Sequence, residues 1–158
     1  MIKVGIIGLG YWGPNLVRNF QNNRNCKVVA LCDLDSSLLK KYHNKFPDSK
    51  FYNDYKKLLK YSDIDACVIA TPVATHFDIA INALKNNKHV FVEKPLADSS
   101  LKCKKLISLA NKRRLILFVD HTFLYTEAVQ TLKKYSLKKN FGKKLYYDST
   151  RINLGLIQ

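Results

Sequence analysis

Three glycines and one acid carry the clearest chemistry in this 158-residue chain. Gly8, Gly10 and Gly13 follow the apolar run Ile2-Lys3-Val4-Gly5-Ile6-Ile7, and Asp33 closes a second run, Lys27-Val28-Val29-Ala30-Leu31-Cys32. Strand, glycine turn, helix, strand and acid, in that order, predict a βαβ unit that binds a dinucleotide. Gly8 is expected to turn the chain out of the strand. Gly10, lacking a Cβ, lets the backbone come close to a pyrophosphate, and Gly13 lets the helix close on the sheet. Pro14 suits a first helical turn. The free N–H groups of that helix then face the phosphates. Asp33 is placed to accept hydrogen bonds from a ribose diol. Its charge repels a 2′-phosphate, and Leu34-Asp35-Ser36-Ser37 supplies no Arg or Lys, so NAD is expected over NADP.

Three more polar clusters fall after predicted strands: Ala70-Thr71-Pro72-Val73-Ala74-Thr75-His76, Glu93-Lys94-Pro95-Leu96 and Asp120-His121-Thr122. In an open parallel sheet the carboxyl ends of the strands share one edge, where ligands bind. The expected cofactor-binding set is Gly8, Gly10, Tyr11, Trp12, Gly13, Asp33, Thr71, Pro72, His76, Glu93 and Lys94. Lys94 is the candidate catalytic residue. An ammonium beside a nicotinamide can hydrogen-bond a substrate hydroxyl and stabilise developing alkoxide charge. His76 is read either as a cofactor contact or as a polar residue of a first helical turn. His121 reaches substrate or bonds across a domain junction. His43 and His89 read as structural.

The elements that must hold these residues alternate. Helices are predicted over about 13–23, 36–46, 54–60, 75–86 and 99–113, with strands at 27–32, near 50–52, and at 65–70, 89–92 and 115–119. Thr75-His76-Phe77-Asp78 reads as a capping-box variant that opens the helix at 75. The unbroken apolar character of 65–70 marks a central parallel strand. The pattern predicts an α/β fold, a Rossmann doubly wound parallel sheet over 1–121. Beyond Asp120 it changes. A helix is expected over about 125–139, ended by Asn140-Phe141-Gly142. Lys144 to Leu154 then alternates like a strand with one polar face. Residues 122–158 are therefore expected to be the incomplete start of an α+β substrate or oligomerisation domain.

The charge of +15 invites a nucleic-acid reading. The lysines, however, fall mostly off the apolar helix stripes, and there is neither an Arg-rich tract nor zinc-finger spacing, so no nucleic-acid partner and no metal are expected. Cys26, Cys32, Cys67 and Cys103 form no C-x-x-C pair and read as small buried hydrophobes. No signal peptide or membrane-length apolar run is seen, so a cytoplasmic chain without a membrane partner is expected.

The segments Gly8-Leu9-Gly10-Tyr11-Trp12-Gly13-Pro14-Asn15, Ala70 to His76, His89-Val90-Phe91-Val92-Glu93-Lys94-Pro95-Leu96-Ala97 and His121-Thr122-Phe123-Leu124-Tyr125 together resemble the Gfo/Idh/MocA oxidoreductases. Ser149-Thr150-Arg151-Ile152-Asn153-Leu154-Gly155 is similar to the nucleotide-sugar branch, the UDP-N-acetylglucosamine or UDP-N-acetylglucosaminuronate 3-dehydrogenases. The resemblance implies hydride transfer between a sugar hydroxyl and NAD. It places Lys94 at the active site and has Arg151 and Asn153 face substrate or cofactor, with His121 on the substrate side. The family's second domain also supplies an aspartate and a histidine that are not found in 1–158, so the chain is expected to be an amino-terminal portion. The alternative is an NAD-binding module that does not turn over. Assembly through the second sheet, as in family members, leaves homo-oligomerisation open.

Overall fold

A computed structural model describes residues 1–150 and Ile152. Its contacts divide the chain into two units, Met1–His121 and Thr122–Gln158.

The first unit is a six-stranded parallel sheet. The strands are β1 (Ile2–Ile7), β2 (Cys26–Cys32), β3 (Lys50–Tyr52), β4 (Ala66–Ile69), β5 (His89–Glu93) and β6 (Leu117–Asp120), in the order β3-β2-β1-β4-β5-β6. The connecting helices are α1 (Gly13–Asn22), α2 (Ser36–His43), α3 (Tyr55–Leu59), α4 (Val73–Lys85) and α5 (Ser100–Arg113). This is the expected Rossmann fold, and its order reverses between β1 and β4. Both faces are covered, so the central strands read as continuous apolar runs. On one face Val4, Ile6, Val28 and Leu31 pack with Leu16, Val17 and Leu39 of α1 and α2. On the other, Ile7, Ile69 and Val92 pack with Leu58, Ala80, Ala83, Leu84 and Leu106 of α3, α4 and α5.

Of the boundaries that differ from expectation, two bear on the site; α2 also ends early, at His43. β6 begins at Leu117 and runs to Asp120, because its ladder with β5 starts at Val90↔Leu117 and ends at Glu93↔Asp120. α4 begins at Val73, after Pro72 at its cap, so Thr75 lies within the first turn and the capping box does not form. The Thr75 hydroxyl donates instead to the Pro72 carbonyl at 2.7 Å. Cys32 and Cys67 are buried in the sheet, as expected, while Cys26 and Cys103 are half-buried, and all four are free thiols. His89 accepts the Ile116 N–H at Nδ1, and His43 stacks on Phe51. Both have the structural roles read from the sequence. Among the described residues no helix is long and apolar enough to cross a membrane.

In the second unit a 3-10 turn (Thr122–Tyr125) leads into α6 (Glu127–Ser136), and a second 3-10 turn covers Lys139–Phe141. The predicted helix over 125–139 is thus shorter and flanked by tighter turns. The expected strand over 144–154 does not form across 144–150. A strand needs a neighbour for its N–H and C=O groups, and among the described residues none pairs with this segment. Leu145, Tyr146 and Tyr147 are exposed there. Arg151, Asn153 and Leu154, the rest of that expectation, lie outside the described residues.

Candidate functional site at the carboxyl edge of the sheet

The glycine turn is packed against its neighbours at two positions and open at the third. Gly8 has φ +95°, and a Cβ built on it would lie 2.6 Å from the Ala70 carbonyl oxygen. A Cβ on Gly13 would lie 2.2 Å from the Gly8 carbonyl oxygen. The fold itself therefore requires glycine at both places. A Cβ on Gly10 would meet no protein atom within 4 Å. What a side chain there would fill is space available to a ligand.

α1 starts beside this space without a side-chain cap, with Pro14 in its first turn and no acid there. Its leading N–H groups and the positive end of its dipole are thus available to an anion. Trp12 stands at the cap position, half-exposed, with Tyr11 edge-on at 5.3 Å.

Asp33 touches the same turn. Its Oδ2 accepts the Leu9 N–H at 2.7 Å, and its Oδ1 accepts the Asp35 N–H at 2.8 Å. The sequence reading assigned Asp33 only to a ribose. The structure adds a tie between the end of β2 and the glycine turn, and each carboxylate oxygen keeps a further lone pair. The Asp33-x-Asp35 spacing was the available sign of the local turn. The glycine turn, an open Gly10 and Asp33 together fit the groups of a dinucleotide.

The other predicted residues line up along the same edge. Thr71 follows β4, and its hydroxyl oxygen lies 2.7 Å from that of Thr75. His76 is 1% exposed; its Nδ1 lies 2.8 Å from the Pro95 carbonyl oxygen and its Nε2 lies 2.8 Å from the Thr71 carbonyl oxygen. Its polar atoms tie the loop after β4 to the turn after β5 and do not point outward. Glu93 ends β5 at 8% exposure, and the Lys94 N–H donates to its Oε2 at 3.3 Å. Lys94 is exposed and is followed by a cis peptide to Pro95. His121 is exposed, its N–H donating to the Val119 carbonyl at 2.8 Å. Arg151 and Asn153 lie outside the described residues.

Asp120, read from sequence only as part of the polar cluster after the last strand, stands opposite Glu93 in the ladder. Burial pushes the Glu93 carboxyl above the usual carboxylate range, and the Asp120 charge pushes it further. The Lys94 N–H and the charges of Lys94 and His76 pull the other way. Burial also raises Asp120, and the charge of His121 pulls the other way. Ending the strand at 119 rather than 120 concealed this pairing.

Two open concavities lie elsewhere. One, of about 560 Å³, runs along Ile2, Phe20, Phe91 and Phe118. Another, of about 640 Å³, lies along Val129, Leu132 and Leu145 to Tyr147 in the second unit. Neither includes the glycine turn or Lys94.

Residues 2–121 match the model of the Gfo/Idh/MocA oxidoreductase family, NAD-binding Rossmann fold, and the chain belongs to that family. An inositol 2-dehydrogenase of Salmonella paratyphi B is 34% identical over 113 residues, which span 70% of this chain and 34% of that protein. The fold superposes on scyllo-inositol dehydrogenase from Lactobacillus casei with bound NAD(H) and scyllo-inositol (TM-score 0.80, 22% identity, 86% of this chain and 41% of that one). It also superposes on a 3-ketoreductase from Actinomadura kijaniata with NADP and TDP-benzene (TM-score 0.79, 24% identity, 85% and 42%). The chain spans about a third of the length of the curated relative.

Proposed function

We propose that this chain holds NAD at the glycine turn and belongs to an oxidoreductase that moves a hydride between a nucleotide-sugar hydroxyl and the nicotinamide. The observation that carries the cofactor half is the open space over Gly10, bounded by an uncapped helix and by Asp33. NAD, when bound, supplies the hydride acceptor or donor. Asp33 offers its remaining lone pairs to the adenosine ribose and disfavours a 2′-phosphate, so NAD is preferred to NADP. Lys94 holds the substrate hydroxyl and offsets alkoxide charge. We assign 1–121 to the cofactor domain and 122–158 to the opening of the substrate domain, with His121, Arg151 and Asn153 on the substrate side. The sugar half rests on the resemblance of Ser149 to Gly155 to the nucleotide-sugar branch. The 3-ketoreductase, with its TDP ligand, is a fold relative of compatible chemistry.

Calorimetric titration of the chain with NAD and NADP tests the cofactor half. Tighter NAD binding is expected, with Asp33→Ala weakening NAD and narrowing the preference. Equal affinity, or tighter NADP, would sink the Asp33 argument. NADH formation from UDP-N-acetyl sugars that is lost in Lys94→Ala supports the enzymatic reading. NAD binding without turnover supports the alternative, a binding module.

A further inference from the structure

His76 sits near the start of α4 at 1% exposure, with a backbone carbonyl at each nitrogen of its ring. Nδ1 lies 2.8 Å from the Pro95 oxygen, and Nε2 lies 2.8 Å from the Thr71 oxygen. A carbonyl oxygen only accepts, and a neutral imidazole has one N–H and one bare lone pair. Whichever tautomer forms, one of the two contacts then sets a lone pair against a lone pair. At this burial bulk water cannot come between them, so the mismatch would stand uncompensated. The imidazolium carries an N–H at both nitrogens and satisfies both carbonyls.

A buried cation also needs a counter-charge. Glu93, at 8% exposure, ends β5 two residues before Pro95 and feels the His76 charge. Lys94 acts on Glu93 too, as does Asp120 from the end of β6, where His121 acts on Asp120. Beside α4, at the start of α5, Asp98 and Lys102 pair with each other. The positive end of the α4 dipole opposes a charge on the ring. The two carbonyl dipoles and Glu93 offset it.

We propose that His76 is a positioning residue of the cofactor edge: as the imidazolium it donates to the Thr71 and Pro95 carbonyls at once, and so clamps the turn that carries Lys94 to the loop after β4. Loss of one ring proton to solvent releases one of the two ties. That these loops serve a nicotinamide cofactor rests on the dehydrogenase reading, but the clamp is a property of the protein without ligand.

The test is NMR of the ligand-free 158-residue chain, with its histidine rings and carbonyl carbons followed over about pH 5 to pH 8, where histidine charge changes. His76 should show two ring N–H protons, both protected from exchange. A purely structural histidine needs only one. If one of them leaves within that range, the carbonyl shift of Thr71 or Pro95 should move with the same midpoint; two protons kept throughout also support the clamp. A single ring proton at every pH, or a proton loss that leaves both carbonyl shifts unchanged, overturns the proposal. His76→Asn cannot donate in both directions, so its NAD affinity should fall up to roughly tenfold, the worth of one charge-assisted hydrogen bond. Wild-type affinity in a folded His76→Asn overturns the positioning role, and if that variant does not fold the wild-type spectra decide. NAD titration of the wild-type chain judges the dehydrogenase reading separately: two ring protons without NAD binding keep the clamp and remove that reading.

Discussion

Gly10 and Gly13 separate what the fold requires from what a ligand requires. A methyl group at Gly13 would press on the Gly8 carbonyl, whereas one at Gly10 would meet nothing. Gly13→Ala should therefore cost about 1–3 kcal/mol of stability through overpacking, read as a lower melting temperature. Gly10→Val should keep the wild-type melting temperature and lose NAD binding in calorimetry. A Gly10→Val protein that binds NAD normally would move the phosphate site away from this turn. Asp33 shows why a residue type alone is an incomplete guide. Its place at the end of β2 was readable, but its bond to the Leu9 N–H, which joins two segments, depends on how close β1 and β2 lie.

At the scale of the element, the helix starts fall into two groups. α2, α3 and α5 begin with Asp35, Asp54 and Ser99, each accepting a first-turn N–H, while α1, α4 and α6 begin with Trp12, Pro72 and Thr126 and no side-chain cap, and α1 starts beside the open space over Gly10. A helix start left without a cap beside an open space is an anion site in waiting. Asp54→Ala should lower stability by about 1 kcal/mol and leave NAD affinity unchanged. Trp12→Asp should weaken NAD binding with no comparable loss of stability, because a carboxylate would compete for the positive end of the helix. Chemical melts and calorimetry on the two variants check this pair of outcomes. Thr75 illustrates an opposite failure of local reading. The hydroxyl followed by an acid three residues on suggested a cap, but Pro72 had already ended the extended segment and α4 started at Val73.

At the scale of the whole sheet, the two apolar layers share the same strands, so cooperative unfolding of the first unit is the expected outcome. Cys32 lies 2% exposed and Cys67 0% exposed in the middle of the sheet, and burial pushes both thiols up to about 12. Cys26 and Cys103 are only half-buried. A thiol reagent at neutral pH should modify Cys103 and Cys26 first, and Cys32 and Cys67 only at the rate of global opening, since the thiolate is the reactive form and neither sulfur is accessible. Early labelling of Cys67, followed by peptide mapping, would show that the sheet opens locally around β4.

The sequence by itself determined the order of strands and helices through residue 121, the glycine turn, the acid after β2 and the location of Lys94 after a strand. These are local signals: apolar periodicity, turn residues and an acid at a strand end all act through near neighbours in the chain. The tertiary structure decided what required two distant segments to meet. It set Glu93 opposite Asp120, buried His76 between the Thr71 and Pro95 carbonyls, and left the space over Gly10 open. It also overturned the strand drawn through Lys144 to Thr150, whose alternation is real but whose ladder has no neighbour among the described residues. An alternating pattern states which faces a strand would have; only a partner strand supplies the hydrogen bonds that make it one.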